Sequence, residues 1–586
     1  MPQIHIWERH EIVLQAEKEY RNPYMEVDMG VHLRGPGFNK RVYGFWDGGN
    51  TFKIRLTATK PGTWTWESFA NVDDPGLMGK SGSYTAVEWT EEEKRENVCR
   101  RGFPRPTANR HAFEMPDGTP FFWLADMWLA AATNHYPWRE DDRFYPIGPD
   151  AGFKDMIRYR RDQGYNGITI IACFPAWGID RLPAWAYMED GLVIRHSWME
   201  HGNNLEPDGS KCRSTDMHNE GGRPFEFPGP VPGYEDIVPD MTKINPEYFR
   251  YLDKRIDYCN ENGIIPFLEL WRRDFSEVWS KYCGWPETYI KYTSYMYARY
   301  HANNVFLSPI HMDTPEDSIP PREYNKPIRM YFARYGRPPF GTMISTNAAP
   351  STLVNYGNVE WIDFHQIGNK WREHVSFWYL KELYWNKPER PALNGEPYTP
   401  GFPPETDLEM FSEEAYRNTR SGMYGSVLSG GQSGYVHELQ AMYDGCRSPE
   451  AVYRMWDVFD IATSHQAVYL KDFVMSLEGR HAELIPDSEC IIPNKSGDEF
   501  GWTGWAYCAY TPERDIILAY FEEGTPRKAN LFRGGAYGCR YKLVWYNPRT
   551  GEWLDRNEVV EPDVRGVLEI PELPDERDWA LKMEIL

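Results

Sequence analysis

Over the first 90 residues, apolar and polar positions alternate in short runs, "YMEVDMGVHL", "RVYGFWDGG", "TFKIRLTAT" and "GTWTWESFA", broken at Pro-Gly and Gly-Gly pairs. Successive strand side chains point to opposite faces, so this period of two, rich in β-branched and aromatic residues, predicts a small β-sandwich over 1–90. The charged stretch "EWTEEEKREN" leads out of it and reads equally as a linker helix or a solvated turn, within a linker over 91–115.

From about residue 116 the period changes. Asp150 is placed to cap a helix whose Phe153, Met156 and Ile157 share a face, Gly164 ends it, and the buried strand "GITIIAC" follows. A second unit has Asn245 as cap, Pro246 in the first turn, a stripe of Phe249, Leu252 and Ile256, Gly263 as terminator, then "IIPFLEL". A third runs through "ETYIKYTSYMYARYHANN" into "VFLSPI". The apolar runs in order are "FFWLA" (121–125), "GITIIAC" (167–173), "IIPFLEL" (264–270), "VFLSPI" (305–310), "TMIS" (342–345), "WIDFHQ" (361–366), "PALNG" (391–395) and "SVLSGG" (426–431). Eight such runs with helices between them predict a (β/α)₈ TIM barrel over 116–477, with its chemistry at the C-terminal strand ends; a doubly wound open sheet is the competing topology. The polar, turn-rich stretch near 190–240 predicts a long loop over the barrel mouth, and "PEAVYRMWDVFDIATSHQAVYLKDFVMSL" supplies the last helix. Strand patterning returns in "GWAYCAY", "DIILAYF", "YKLVWYNPRTGEW" and "GVLEIP", with "NPRTG" as a tight turn, which predicts a C-terminal β-domain of sandwich type over 478–586.

Composition narrows the function. The chain has 586 residues, 64 basic against 86 acidic, a net charge of −22. Such a surface repels nucleic-acid phosphates and anionic lipid, so neither nucleic acid nor membrane is the expected partner. Aromatics make up 15% of residues, with 24 Trp and 38 Tyr, enough to supply flat platforms for sugar rings beyond core packing. Nine cysteines without a CxxC pair argue against a zinc ribbon or a disulfide framework. The N-terminus lacks a basic start followed by an apolar run, and no stretch approaches the length of a membrane span, so the expected location is the cytoplasm. No HExxH, GxSxG, P-loop or strand-linked GxGxxG occurs, and neither a metal nor a cofactor is expected.

On a barrel, the polar residues ending the strands converge. They are Asp126 and Trp128 after the first run, Trp177 after the second, Glu269, Trp271, Arg272 and Arg273 at the third, His311 and Asp313 at the fourth, Asp363, His365 and Gln366 at the sixth, Glu396 at the seventh, and Gln432 and His437 at the eighth. Glycoside hydrolysis needs an acid to protonate the leaving oxygen, a second carboxylate across the sugar ring, and groups that hold hydroxyls. The fourth and seventh strands lie on roughly opposite sides of an eight-stranded ring, so Asp313 and Glu396 can flank one substrate. Asp126, Trp128, Trp177, Glu269, Trp271, Arg273, His311, His365, Gln366 and His437 are the candidates for holding it.

The series "GTPFFWLADMWL", "GYNGITIIACF", "INPEYFRYLDKRIDYCNENGIIPFLELW", "NNVFLSPIHMD", "VEWIDFHQIG", "RPALNGEPY" and "SGMYGSVLSGG" resembles the apiosidase-like glycoside hydrolases, and the flanking β-domains resemble those that accompany that catalytic domain. The resemblance implies that Glu396 is the nucleophile and Asp313 the general acid/base of a retaining mechanism. It also marks a departure: where the family has glycines before that Asp, this chain has Ile310, His311 and Met312. The expected activity is hydrolysis of an oligosaccharide or small glycoside. A transglycosidase using the same site, or a carbohydrate-binding protein without turnover, is the alternative. The two β-domains also offer surface for self-association.

Overall fold

The computed structural model describes residues 2–173, 187–189, 192–194, 218–228, 231, 238–272, 276–312, 319–368, 375–400, 410–443, 445–447, 453–495, 497, 503–531, 535 and 538–586. At the N-terminus two sheets face each other. One has the order Gln3–His5, Ser81–Val87, Gly62–Ala70, Met29–Gly35, Phe38–Tyr43; the other His10–Gln15, Thr51–Leu56, Phe45–Trp46. Val31, Leu33, Ile54, Leu56 and Trp64 fill the space between them, the inward half of the alternation. The run "YMEVDMGVHL" divides: Asn22 caps a single helical turn, Pro23–Glu26, before the strand Met29–Gly35 begins. The stretch after the sandwich forms a helix, Glu91–Glu96, because Thr90 and Glu93 cap it reciprocally.

The middle of the chain alternates parallel strands with helices. The strands are β1 (Trp123–Met127), β2 (Gly167–Cys173), β3 (Ile265–Trp271), β4 (Phe306–Ser308), β5 (His365–Gly368), β6 (Ala392–Glu396) and β7 (Gly434–His437). The principal helices are α1 (Phe153–Gln163), α2 (Pro246–Glu261), α3 (Glu287–Tyr300), α4 (Asn325–Tyr335), α5 (Thr352–Tyr356), α6 (Val375–Trp385), α7 (Glu413–Leu428) and α8 (Ala462–Met475). The strands form one seven-stranded sheet in the order β4-β3-β2-β1-β7-β6-β5, the arrangement of a TIM-like domain. Residues 342–345, expected as a strand, appear as a parallel bridge of Ile344 to Leu307 at the β4 edge. The same segment reaches the other edge, where the Asp363 N–H donates to the Ile344 carbonyl at 2.7 Å.

Two local expectations change. The N-cap of α1 is Gly152, not Asp150: the Asp155 carboxylate accepts from the Gly152 N–H at 3.0 Å, and a Cβ at 152 would stand 2.7 Å from the Pro137 carbonyl. The run "SVLSGG" is the end of α7. Val427 and Leu428 continue the helical stripe of Met423 and Tyr424, Gly430 with φ +118° stops it, and the eighth apolar run gives way to β7 at Gly434–His437. Asn245 caps α2 as expected, accepting from the Glu247 N–H at 3.1 Å, and Gly164 closes α1 in the left-handed region. Most of the long loop near 190–240 lies outside the described residues; two short antiparallel pairs, Tyr187–Glu189 with Leu192–Ile194 and Phe225–Glu226 with Asp240–Ile244, belong to it.

At the C-terminus a six-stranded antiparallel sheet packs with a three-stranded one, and its strand Trp579–Ile585 sits between Ile516–Phe521 and Tyr541–Asn547. The predicted turn falls between Tyr541–Asn547 and Glu552–Val560.

Buried charge ties the β-rich ends to the middle. Arg55 of the sandwich donates to Asp253 of α2 at 2.9 and 2.5 Å, and Arg299 of α3 donates to the same carboxylate at 2.8 and 2.6 Å. Burial raises the pKa of Asp253, but the Arg299 and Arg55 charges outweigh it and hold the group well below the usual carboxylate range. At the other end Arg420 of α7 donates to Asp578 at 2.6 and 3.0 Å, Tyr520 donates to the same carboxylate at 2.9 Å, and Tyr424 stacks on Tyr520.

Candidate active site

Strand alternation sorts the sequence-predicted residues into two sets. Trp123 points inward: a Cβ on Gly167 would lie 2.1 Å from its Nε1, and its ring meets Phe306 and Phe267. Counting by twos along β1, Asp126 faces outward, and the register pairs it with His437 on β7. There the Asp126 carboxylate accepts from Arg160 Nε of α1 at 2.6 Å and from Trp128 Nε1 at 2.9 Å, and it contacts His437 Nδ1 at 3.2 Å. His437 Nε2 in turn contacts Thr463 Oγ1 of α8 at 3.0 Å. Burial raises the pKa of Asp126, yet the Arg160 charge and His437 outweigh it, and the carboxyl is held at about 2. Trp128 packs against Tyr136, Phe153 and Phe459. Asp126, Trp128 and His437, the expected substrate contacts on these strands, are thus joined to one another and to α1 and α8. The same count moves His365: Phe364 packs inward on Phe306, so His365 turns out to Thr352 Oγ1 of α5, 2.7 Å away. Burial, helped by Arg390, pushes its pKa down to about 3, so its ring is neutral.

The inward set gathers at the C-terminal ends of β3 and β6. Phe267 faces inward, and two residues on so does Glu269. Its Oε2 lies 2.7 Å from Nδ1 of His311, whose backbone N–H donates to the Trp271 carbonyl at 2.7 Å and whose residue bridges Arg272. Trp271 itself packs into a cluster with Trp279, Tyr292 and Phe225 in tilted and edge-on contacts.

On β6 the stretch Asn394-Gly395-Glu396-Pro397 has a physical reading residue by residue. Asn394 Oδ1 accepts from the Glu396 N–H at 3.3 Å, closing a turn over Gly395, while its Nδ2 donates to Ser426 Oγ of α7 at 3.1 Å. A Cβ at residue 395 would stand 2.0 Å from Oε1 of the inward Gln366, so a larger residue there has to displace that side chain. The turn re-aims Glu396, which is fully buried, toward the β3 side, and Pro397 ends the ladder. Burial, then the Glu396 charge, raise the pKa of Glu269 well above the carboxylate range, with the Asn347 backbone N–H opposing them. Two enclosed carboxyls at facing strand ends are the equipment of acid/base and nucleophilic chemistry at a saturated carbon. Among the described residues no group of three or more His, Cys, Asp or Glu side chains is placed to hold a metal ion.

Residues 107–479 match the family model described as the apiosidase-like catalytic domain. The chain belongs to the apiosidase-like glycoside hydrolases. It is a glycosidase. On either side of the apiosidase-like domain, residues 3–71 match a domain of unknown function, and residues 485–584 match one described as the collagen-binding domain of a collagenase. Among curated proteins none matches the sequence. Among solved structures, a Bacteroides vulgatus protein described as a glycoside hydrolase is similar over 100% of both chains, at 14% identity and a TM-score of 0.66. A family 5 glycoside hydrolase from the same organism is similar over 83% of this chain and 94% of its own, at 14% identity and a TM-score of 0.56. At such identities the likeness is one of fold.

Three candidates of the apiosidase-like domain, Trp177, Arg273 and Asp313, lie outside the described residues. The chain leading to Asp313 is described, and Met312 bridges Ala348 in parallel. One residue near the site escaped the sequence reading: Asn347, whose backbone faces Glu269. Its only signal is its place two residues beyond the fifth apolar run.

Proposed function

We propose that the protein hydrolyses a glycosidic bond of an oligosaccharide or small glycoside with retention, Glu396 attacking the anomeric carbon and Asp313 first donating and then removing a proton. The observation that carries this reading is the seating of Glu396. It ends a parallel strand, turned inward by the Asn394 turn, beside a second buried carboxyl, at the strand ends where TIM-like enzymes place their chemistry. The reading includes an eight-stranded barrel in which 342–345 serves as the fifth strand. The hydrogen bonds that this segment makes to both edges of the sheet support that closure. It also divides the chain into a sandwich over 1–90, a linker over 91–115, a catalytic domain over 116–477 and a β-domain over 478–586.

In the first half-reaction the carboxylate of Glu396 displaces the leaving group while the Asp313 proton moves to the glycosidic oxygen. In the second, Asp313 takes a proton from water, which attacks the glycosyl ester and frees Glu396. Retention requires the two carboxyls to stand about 5 to 5.5 Å apart. A panel of aryl glycosides, furanosides included, assayed with Glu396→Ala and Asp313→Ala, tests the assignment. Both variants should fold and lose turnover by several orders of magnitude, and NMR of the first-formed product should show retained configuration. Undiminished turnover in either variant would remove that residue from the scheme.

A further inference from the structure

A cavity of about 410 Å³ lies where the N-terminal sandwich, the segment that follows it and the middle of the chain meet, within the size range of small-molecule sites. One wall comes from Asn260 and Glu261, which end α2 just before β3 begins, and from Asn303 and Asn304, which stand just before β4. Glu269 lies toward the far end of β3 and Glu396 ends the parallel strand β6, so this cavity and the candidate active site sit at opposite ends of the sheet.

Two of its features exceed what a junction between sheets and helices needs. Trp7, on the sandwich side, has φ +61°, a left-handed backbone that a bulky residue rarely adopts. Its indole is seated against Gly102, where a Cβ would stand 2.6 Å from the ring, and meets Phe103 at 5.3 Å. The other feature is a pair of amides. Asn303 and Asn304 are 3% and 4% exposed; Asn303 Nδ2 donates to Asp257 at 2.9 Å and Asn304 Nδ2 to the Gly102 carbonyl at 2.6 Å, yet neither Oδ1 has a hydrogen-bond partner among the described residues. The neighbouring Asn97 and Asn260 have both ends of their amides occupied. An acceptor left unmatched in such a wall costs free energy that a ligand hydroxyl recovers.

Charge selects among ligands. Arg9 pairs with Asp257 at 2.7 Å and Arg100 with Glu96 at 3.0 Å, and both arginines line the cavity together with Glu8 and Glu261. The guanidinium groups disfavour a cation and the carboxylates an anion. A neutral molecule with hydroxyl donors for the amide oxygens and a flat C–H face for the indole meets both conditions, and a sugar ring is such a molecule.

We propose that this cavity is a second, non-catalytic sugar site, which holds one neutral monosaccharide unit between the sandwich and the middle of the chain, with Trp7 as its platform and the Asn303 and Asn304 oxygens as its acceptors. A sugar seated there touches both sides of the junction and leaves the strand ends near Glu396 free.

Free monosaccharides probe the site without turnover, since they have no glycosidic bond to cut. The wild-type protein is titrated with D-glucose, D-galactose, D-xylose, L-arabinose and L-rhamnose, and backbone hydrogen exchange is followed by mass spectrometry. At least one of the five should slow exchange in residues 97–103 and 301–305, whereas choline and D-glucuronate should not. Trp7→Ala and Asn303→Leu should each raise the sugar concentration needed for that protection by about tenfold or more, and leave exchange around Glu396 as it is in wild type. Thermal unfolding without sugar controls for folding, and if Trp7→Ala does not fold, Asn303→Leu decides. The proposal is overturned if none of the five sugars protects those segments, if protection survives the replacements, or if choline or D-glucuronate protects equally well. None of these outcomes depends on which carboxylate attacks the anomeric carbon.

Discussion

At Gly395 a missing side chain does structural work. The Oε1 of Gln366 occupies the space that a Cβ would need, 2.0 Å away, in a region where Gln366 itself is buried. Gly395→Ala must push Gln366 aside and disturb the turn that aims Glu396. The expected outcome is a stability loss of about 1 to 2 kcal/mol by denaturant titration and a larger proportional fall in kcat than in KM. Asp126 makes a different prediction, about acid. Its carboxyl is depressed in the folded state to about 2, so its stabilisation is present above the ordinary aspartate pKa and is lost as pH falls from about 4 toward 2. The shift corresponds to about 2 kcal/mol, and Asp126→Asn should flatten the acid limb of a stability-against-pH curve by that order. These residues also show what the sequence could and could not say. Asn394, Gly395, Glu396 and Pro397 are legible because a turn, a clearance and a strand stop are local facts. For Asp126, His365 and His437 the alternation along each strand was legible, but its phase was not. Which half of a strand faces the lumen depends on Trp123 and Phe364 meeting Phe306, far along the chain.

Among the elements, α2, with a marked beginning and end, was read correctly, whereas the run "SVLSGG", with no marked beginning, was not. Asn245, Pro246 and the stripe that follows define α2 from local chemistry alone, and Asn245→Ala should cost about 1 kcal/mol in chemical denaturation by orphaning the first-turn N–H groups. The end of α7 fails the same test. Val427 and Leu428 are apolar neighbours in a short run, which period cannot assign to strand or helix, and the helix that contains them starts fifteen residues upstream at the Ser412 cap. The 342–345 segment is the converse case, too short to build a ladder of its own. It is ordered by neighbours on both edges, which no reading of those four residues could supply.

On the scale of the whole molecule, buried ion pairs join the β-rich ends to the middle. Asp253 serves two arginines at once, one of them 198 residues away in sequence. Asp253→Asn removes the charge both guanidinium groups share, leaving Arg55 with Glu11 and Arg299 with Asp47, and should cost about 1 to 3 kcal/mol in thermal or denaturant unfolding. With its pKa depressed by Arg299 and Arg55, the same carboxylate adds to the stability lost as pH falls below the ordinary aspartate range. Pairings of this kind were invisible to a reading by segments, since each partner alone looks like a surface charge.

The Arg420–Asp578 junction carries a practical consequence for anyone who would trim this enzyme. The helix that bears Arg420 and Tyr424 is the next principal helix after Glu396 in the chain, and its outer face is covered by the C-terminal β-rich part. Cutting the gene near codon 477 would leave the Arg420 guanidinium without the Asp578 carboxylate and Tyr424 without the ring it stacks on, so the tail is part of the tool and not an ornament on it.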